Sequence, residues 1–221
     1  MVSAIIFDMD GVIVDTEPLH FIALKRVLKE FNIDIPDTSF MDYFGISEES
    51  IWKKTLKKYS IKMPFNSFET KRRQHLFEVL EESLELAKGT LRLLKQLKKN
   101  RVRIALVTSS GRDVVDFILN KLDISGFFEI IVSSDDVKEK KPNPEPYRLA
   151  LDRLGLKPDD CAVIEDSKYG VESAKGAGIF CIGLRNKNYE NAATEADLLI
   201  WSLEELTIAK MNNLEKAIKI K

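Results

Sequence analysis

At 221 residues the chain is long enough for one large domain or two small ones. Its 34 Lys+Arg against 35 Asp+Glu leave a net charge of −1, which argues against a dedicated nucleic-acid binder and against a solvated acidic tail. With 44% apolar residues, no run of ~18 that would span a membrane and no apolar stretch before Asp8 to serve as a signal peptide, a soluble, cytoplasmic protein without nucleic-acid or membrane partners is expected.

The chain opens on Ala4-Ile5-Ile6-Phe7, an apolar run that reads as a strand buried on both faces, the pattern of a parallel sheet. A long segment without a convincing strand follows. Phe21, Leu24, Leu28 and Phe31 are spaced for one helical face. Pro36 and Asp37 predict a turn, then a short helix through Phe40 and Tyr43. Ser47 is placed to cap a third helix with Glu48 and Glu49 in its first turn. A fourth helix is expected over about 67–86. Beyond it, strands are predicted at 102–107, 129–132, 161–164, 179–184 and, with the weakest pattern, 196–201. Helices between them are marked by Leu91, Leu94 and Leu97, by Val114, Val115, Ile118 and Leu122, and by Tyr147, Leu149, Leu151 and Leu154. Ser202 with Glu205 resembles a capping box that opens a terminal helix. Alternation of this kind predicts an α/β fold, a Rossmann-like parallel sheet, with an all-helical domain inserted after its first strand. The expected division is a core of residues 1–15 and 88–221 and an insert of residues 16–87. Cys161 and Cys181 lie far apart in apolar runs and read as buried thiols.

Four expected strand ends carry polar residues. The first runs into Asp8-Met9-Asp10-Gly11: an Asp where open α/β sheets place ligands, a glycine that permits a sharp turn, and a second Asp facing the same space. Two such carboxylates repel unless a cation or a shared proton relieves them; a plain surface turn is the other reading. The second runs into Thr108-Ser109-Ser110-Gly111, hydroxyls and amides suited to a phosphate cradle or to helix capping. Lys140-Lys141-Pro142-Asn143-Pro144 follows the third, either a solvated loop or a lysine fixed by its proline. Glu165-Asp166-Ser167 closes the fourth, either hard oxygen ligands for Mg²⁺ or a helix cap. Together these supply what phosphoryl transfer needs: a carboxylate nucleophile, a second carboxyl group, donors for phosphoryl oxygens, a fixed cation and a divalent metal site.

These motifs, in this order, resemble the haloacid dehalogenase superfamily, in its group of small phosphatases and phosphomutases. Phe7-Asp8-Met9-Asp10-Gly11-Val12, Asp15-Thr16-Glu17-Pro18-Leu19-His20, Val107-Thr108-Ser109-Ser110, Lys141-Pro142-Asn143-Pro144, Val163-Ile164-Glu165-Asp166-Ser167 and Gly170-Val171 carry the likeness, and the helical insert matches that group's cap domain. The resemblance implies that Asp8 attacks phosphorus and Asp10 shuttles the proton. It implies that Thr108, Ser109 and Lys141 bind the phosphoryl group. Mg²⁺ would be held by Asp8, the Asp10 backbone carbonyl and Asp166, with Glu165 contributing in the mutase-like branch. His20 matches a cap position that helps gate proton transfer, and Arg112, just after the phosphate loop, is placed to reach an anionic part of the substrate. The run Lys71-Arg72-Arg73 is read as a solvated face, with recruitment of an anionic substrate as the alternative. The mutases' cap loop carries Lys and Arg where this chain has Phe44 and Glu48, which favours a phosphatase over a sugar phosphomutase. A phosphate-sensing module without catalysis is the remaining alternative, disfavoured because Asp8, Asp10, Lys141 and Asp166 are all present. The resemblance implies a monomer acting on a small phosphorylated metabolite.

Overall fold

The computed structural model describes residues 2–43, 48–186 and 193–210. Two compact units separate: Met1–Val14 with Glu85–Lys221, and Asp15–Leu84.

In chain order the elements are β1 (Ala4–Phe7), α1 (Glu17–Lys29), α2 (Glu48–Tyr59), α3 (Phe65–Ser83), α4 (Thr90–Lys99), β2 (Arg103–Val107), α5 (Arg112–Lys121), β3 (Ile130–Val132), α6 (Glu145–Leu154), β4 (Cys161–Glu165), α7 (Lys168–Gly176), β5 (Phe180–Leu184) and β6 (Leu198–Ile200). The six strands form one parallel sheet in the order β3-β2-β1-β4-β5-β6. The chain winds outward one way from β1 through β2 to β3, then the other way from β4 to β6. The direction reverses between β1 and β4, and such a switch point leaves a crevice at the carboxyl ends of its strands. Burial explains why the strands were legible. Every residue of β1, β4 and β5 is buried, whereas β3 and β6 at the edges are half-covered. The register sets the strand ends level: Phe7 pairs with Leu106 on one side and Ile164 on the other. Asp8, Val107 and Glu165 therefore emerge close together.

Some helix faces differ from expectation. Leu91 is exposed, and α4 buries Leu93, Leu94 and Leu97 instead. The Ser202–Glu205 capping box is present, but it closes only the single 3-10 turn Leu203–Glu205; residues after 210 lie outside those described.

The helical unit is built by α1 and α3, which pack along their lengths, with α2 and the 3-10 turn Asp37–Asp42 completing it. Phe21, Leu24, Val27, Leu28, Ile35, Tyr43, Ile51 and Phe68 form its core. Phe31, expected on the α1 face, is partly exposed because the helix ends at Lys29 and the chain turns through Asn32 at φ 58°. Ser47, the expected cap of α2, and Phe44 of the adjoining loop lie outside the described residues, as does the side chain of Glu48. Arg72 corrects the solvated-face expectation for the basic run, because it is only 3% exposed. Its spacing from Phe68 and Leu76 puts it on the apolar face of α3. Among the described residues no helix is long and apolar enough to cross a membrane.

Candidate active site

Lys141 is the organising residue of the sheet unit's site. Its ammonium group has three protons, and each finds an acceptor: Asp8 Oδ1 at 2.7 Å, Glu165 Oε1 at 2.6 Å and the Val107 carbonyl at 2.9 Å. It thus ties together the ends of β1, β4 and β2. The loop that presents it is held by α6 and α7: Glu145 of α6 accepts from the amides of Lys138 (2.9 Å) and Glu139 (3.1 Å), and Ser173 of α7 donates to the Asn143 carbonyl at 2.6 Å. The side chains of Lys141, Asp8 and Glu165 are 5%, 9% and 0% exposed. This is no solvated lysine loop.

Asp8 leaves β1 with its amide donating to the Ile164 carbonyl at 3.0 Å, so its backbone is fixed by the sheet. The chain then turns tightly back onto Met9, whose carbonyl accepts from Ile13 at 2.9 Å. Gly11 sits in this turn at φ 79°, in the left-handed region, and a Cβ there would lie 1.9 Å from Asp166 Oδ2. The turn can approach the Asp166 carboxylate only because residue 11 has no side chain.

The Asp10 carboxylate accepts two hydroxyls, Thr108 Oγ1 at 3.1 Å and Ser110 Oγ at 2.8 Å. Thr108 Oγ1 also accepts from the Ser110 amide at 3.0 Å, which aims its own proton at Asp10. The Thr108 hydroxyl, expected on a phosphoryl oxygen, is therefore engaged with the second aspartate. It does not cap α5 either; that helix starts from Gly111 with no side-chain cap. Ser109 is exposed and lines a small recess with Thr108, Ser134, Lys140 and Lys141.

Glu165 is the most constrained carboxylate. Oε1 accepts from Lys141 and from the Tyr147 hydroxyl at 2.7 Å; Oε2 accepts from the amides of Asp166 (3.2 Å) and Ser167 (3.4 Å) and from Ser167 Oγ (3.1 Å). Ser167 Oγ in turn caps α7 by accepting from the Gly170 amide at 3.0 Å. A Cβ on Gly170 would fall 1.9 Å from the Glu165 carboxyl carbon, so the start of α7 admits this buried carboxylate only with glycine at that position.

Asp8, Glu165 and Asp166 each offer an oxygen within 4.8 Å of the others. The charge balance is poor. Burial and then the Glu165 charge push the Asp8 carboxyl well above its ordinary range, against the pull of Lys141. Burial followed by Asp8 and Glu165 does the same to Asp166. Burial alone would lower the Lys141 ammonium, but Asp8 and Glu165 raise it above its usual value. One lysine cannot balance Asp8, Asp10, Glu165 and Asp166. A hard divalent cation fits this set, since the donors are all oxygen and the raised Asp8 and Asp166 are the groups that a cation would return to the ionised form.

His20 belongs to the helical unit. His20 lines a cavity of about 160 Å³ inside the helical unit with Glu17, Phe21, Tyr43 and Arg72, and its Nδ1 is 3.4 Å from the Arg72 guanidinium. Burial lowers the Arg72 guanidinium to about 10, opposed by Glu17. Arg112 is directed along its own helix: its Nε meets Asp116 Oδ1 at 2.9 Å. Ser110, read only as part of the hydroxyl run of a phosphate cradle, meets Asp10, and Tyr147, with no expected role, meets Glu165. Ser110 was indistinguishable from its neighbours in a hydroxyl run, and Tyr147 counted only as an apolar helix marker.

A doubly wound parallel sheet with an inserted helical unit, carrying Asp-x-Asp, Thr-Ser-Ser, Lys-Pro and Glu-Asp at or beyond successive strand ends, defines a class of phosphoryl-handling hydrolases. The model of the haloacid dehalogenase-like hydrolase family matches residues 5–184, and the chain belongs to that family. A phosphorylated carbohydrates phosphatase of Thermotoga maritima is 36% identical over 177 residues, covering 80% of this chain and 82% of that protein. Beta-phosphoglucomutase of Bacillus subtilis is 33% identical over 215 residues, covering 93% and 92%. Among solved structures, CbbY from Rhodobacter sphaeroides in complex with phosphate superposes with a TM-score of 0.82 at 26% identity, over 96% of this chain and 100% of that one. The expected enzyme class, a phosphoric monoester hydrolase, is met by the family and by the phosphatase among these relatives.

Proposed function

We propose that the chain is a Mg²⁺-dependent phosphatase that hydrolyses a small phosphorylated metabolite, of the sugar phosphate class, through an aspartyl-phosphate on Asp8. It acts as a cytoplasmic monomer, with residues 16–87 serving as the cap. The observation that carries this reading is Lys141 clamped between Asp8 and Glu165, with Asp166 inside the same oxygen cluster and Asp10 held by Thr108 and Ser110.

Asp8, Asp166 and the Asp10 backbone carbonyl would hold Mg²⁺. Bound there, the ion would screen the repulsion between a phosphate dianion and the Asp8 carboxylate. Glu165 lies within reach, but its oxygens already accept five hydrogen bonds, so we assign it to fixing Lys141. Lys141 occupies Asp8 Oδ1 and leaves Oδ2 to attack phosphorus. As that bond forms, the ester P–O bond breaks, and Asp10 gives its proton to the leaving oxygen. Asp10 then takes a proton from water, which attacks phosphorus and frees both phosphate and Asp8. Lys141 balances charge on the phosphoryl oxygens through both steps, and Ser109 borders the recess where they would bind. The T. maritima relative's name supports a sugar phosphate as substrate.

Phosphate release from a panel of sugar phosphates tests this. Release is expected with Mg²⁺ and not with EDTA. Isomerisation of a sugar phosphate without release would favour the mutase reading, which the B. subtilis relative keeps in view.

A further inference from the structure

Tyr147 is fully buried in the sheet unit's apolar core, among Val107, Val163, Val171 and Cys181. A hydroxyl in such surroundings is costly unless it has a partner, and the partner here is a charged one: Glu165 Oε1 at 2.7 Å. The same oxygen takes Lys141 at 2.6 Å, and the Lys141 ammonium also lies 5.1 Å from the centre of the Tyr147 ring. Tyr147 therefore touches the lysine with its ring and the lysine's counter-ion with its hydroxyl, without reaching Asp8. We propose that Tyr147 is a positioning residue: by occupying one lone-pair direction of Glu165 Oε1 it sets the carboxylate's rotation and limits its hold on Lys141, so that the ammonium stays shared with Asp8. The inference rests on the phosphatase reading for its kinetic consequence and on geometry alone for its structural one.

The argument is electrostatic. Lys141 sits between two buried carboxylates and divides its charge between them. A proton donated by Tyr147 withdraws charge from Glu165, leaving more of the lysine for Asp8 and the incoming phosphoryl group. Phenylalanine at 147 would keep the ring and its packing and remove only that donor. Glu165 would then draw Lys141 away from Asp8.

The test combines kinetics with the spectrum of lysine labelled isotopically at Nζ. In Tyr147→Phe, kcat is expected to fall about tenfold, with KM and the Mg²⁺ half-saturation within about twofold. The Lys141 ammonium resonance, assigned by its loss in Lys141→Met, should shift. In a Glu165→Gln background, or in Lys141→Arg if that variant does not fold, adding Tyr147→Phe should change kcat less than about twofold, because the tyrosine acts through those groups. An unshifted Lys141 resonance overturns the proposal, as does an unchanged kcat or an effect of full size in the second background. If the wild type releases phosphate from no ester, the phosphatase reading fails, and the resonance in Tyr147→Phe alone and in the double variant decides the role of Tyr147.

Discussion

Lys141 gives its three protons to Asp8, Glu165 and the Val107 carbonyl, and with two of these acceptors charged its removal leaves paired carboxylates buried without a cation. Lys141→Met should therefore cost about 3–5 kcal/mol of stability, read by urea denaturation without Mg²⁺, as well as activity. A stability equal to wild type would mean that the two acids are relieved some other way. Ser110 presents a narrower case. Its hydroxyl is 2.8 Å from Asp10 Oδ2, so Ser110→Ala removes one of the two hydroxyls that orient the proton shuttle. A fall in kcat of roughly tenfold with KM little changed is expected, the scale of one hydrogen bond to a charged acceptor. Gly170→Ala places a methyl group against the Glu165 carboxyl and should destabilise the fold by more than about 2 kcal/mol, measured by thermal melting.

At the scale of elements, α1 and α3 of the helical unit are joined by a line of ion pairs in which His75 takes part. It bridges Glu30, just past the end of α1, at 2.8 Å and Glu78 of α3 at 2.9 Å, while Lys71 reaches Glu30 and Arg26 reaches Glu78 and Glu82. Burial alone would lower the His75 pKa, but the bonds to Glu30 and Glu78 outweigh it, so the folded value lies above the ordinary one. The bound proton thus favours the folded state. This contribution is complete below the unfolded value of about 6.5 and is lost as pH rises through the higher folded value. Melting curves at intervals between pH 6 and pH 8 should show this loss in the wild type and not in His75→Gln. Arg72 on the same helix shows what local sequence hides. Beside Lys71 and Arg73 it reads as one of three surface cations, yet it occupies the α3 face that carries Phe68, Leu76 and Val79. Only the period of that face, and not the charge run, carries the signal.

For the whole molecule, the sheet and its polar strand ends were legible because a parallel sheet buries its central strands on both sides and writes them as short apolar runs. Asp8, Asp10, Lys141 and Asp166 stood out jointly: each has an ordinary reading alone, as turn, solvated loop or helix cap, but together, at or beyond successive strands, they make up the set that phosphoryl transfer needs. What was not legible is which group each polar atom meets. Thr108 turns to Asp10, and Glu165 is engaged with both Lys141 and Tyr147. Those pairings depend on packing across 18 to 98 residues of chain, beyond any local pattern. Charge is also a property of the whole: a chain of net −1 concentrates Asp8, Asp10, Glu165 and Asp166 around one lysine. Mg²⁺ at about 100 times its dissociation constant should stabilise the wild type by roughly 2.7 kcal/mol, raising its melting temperature, with little effect on Asp166→Asn. The central claim, that Asp8 is the nucleophile, is tested most directly by quenching the enzyme with acid during turnover of a sugar phosphate and examining its peptides by mass spectrometry. A phosphoryl adduct on the peptide carrying Asp8, absent from Asp8→Asn, which should also release no phosphate, is predicted. Phosphate release by Asp8→Asn at the wild-type rate, with no adduct on that peptide in either protein, would contradict it.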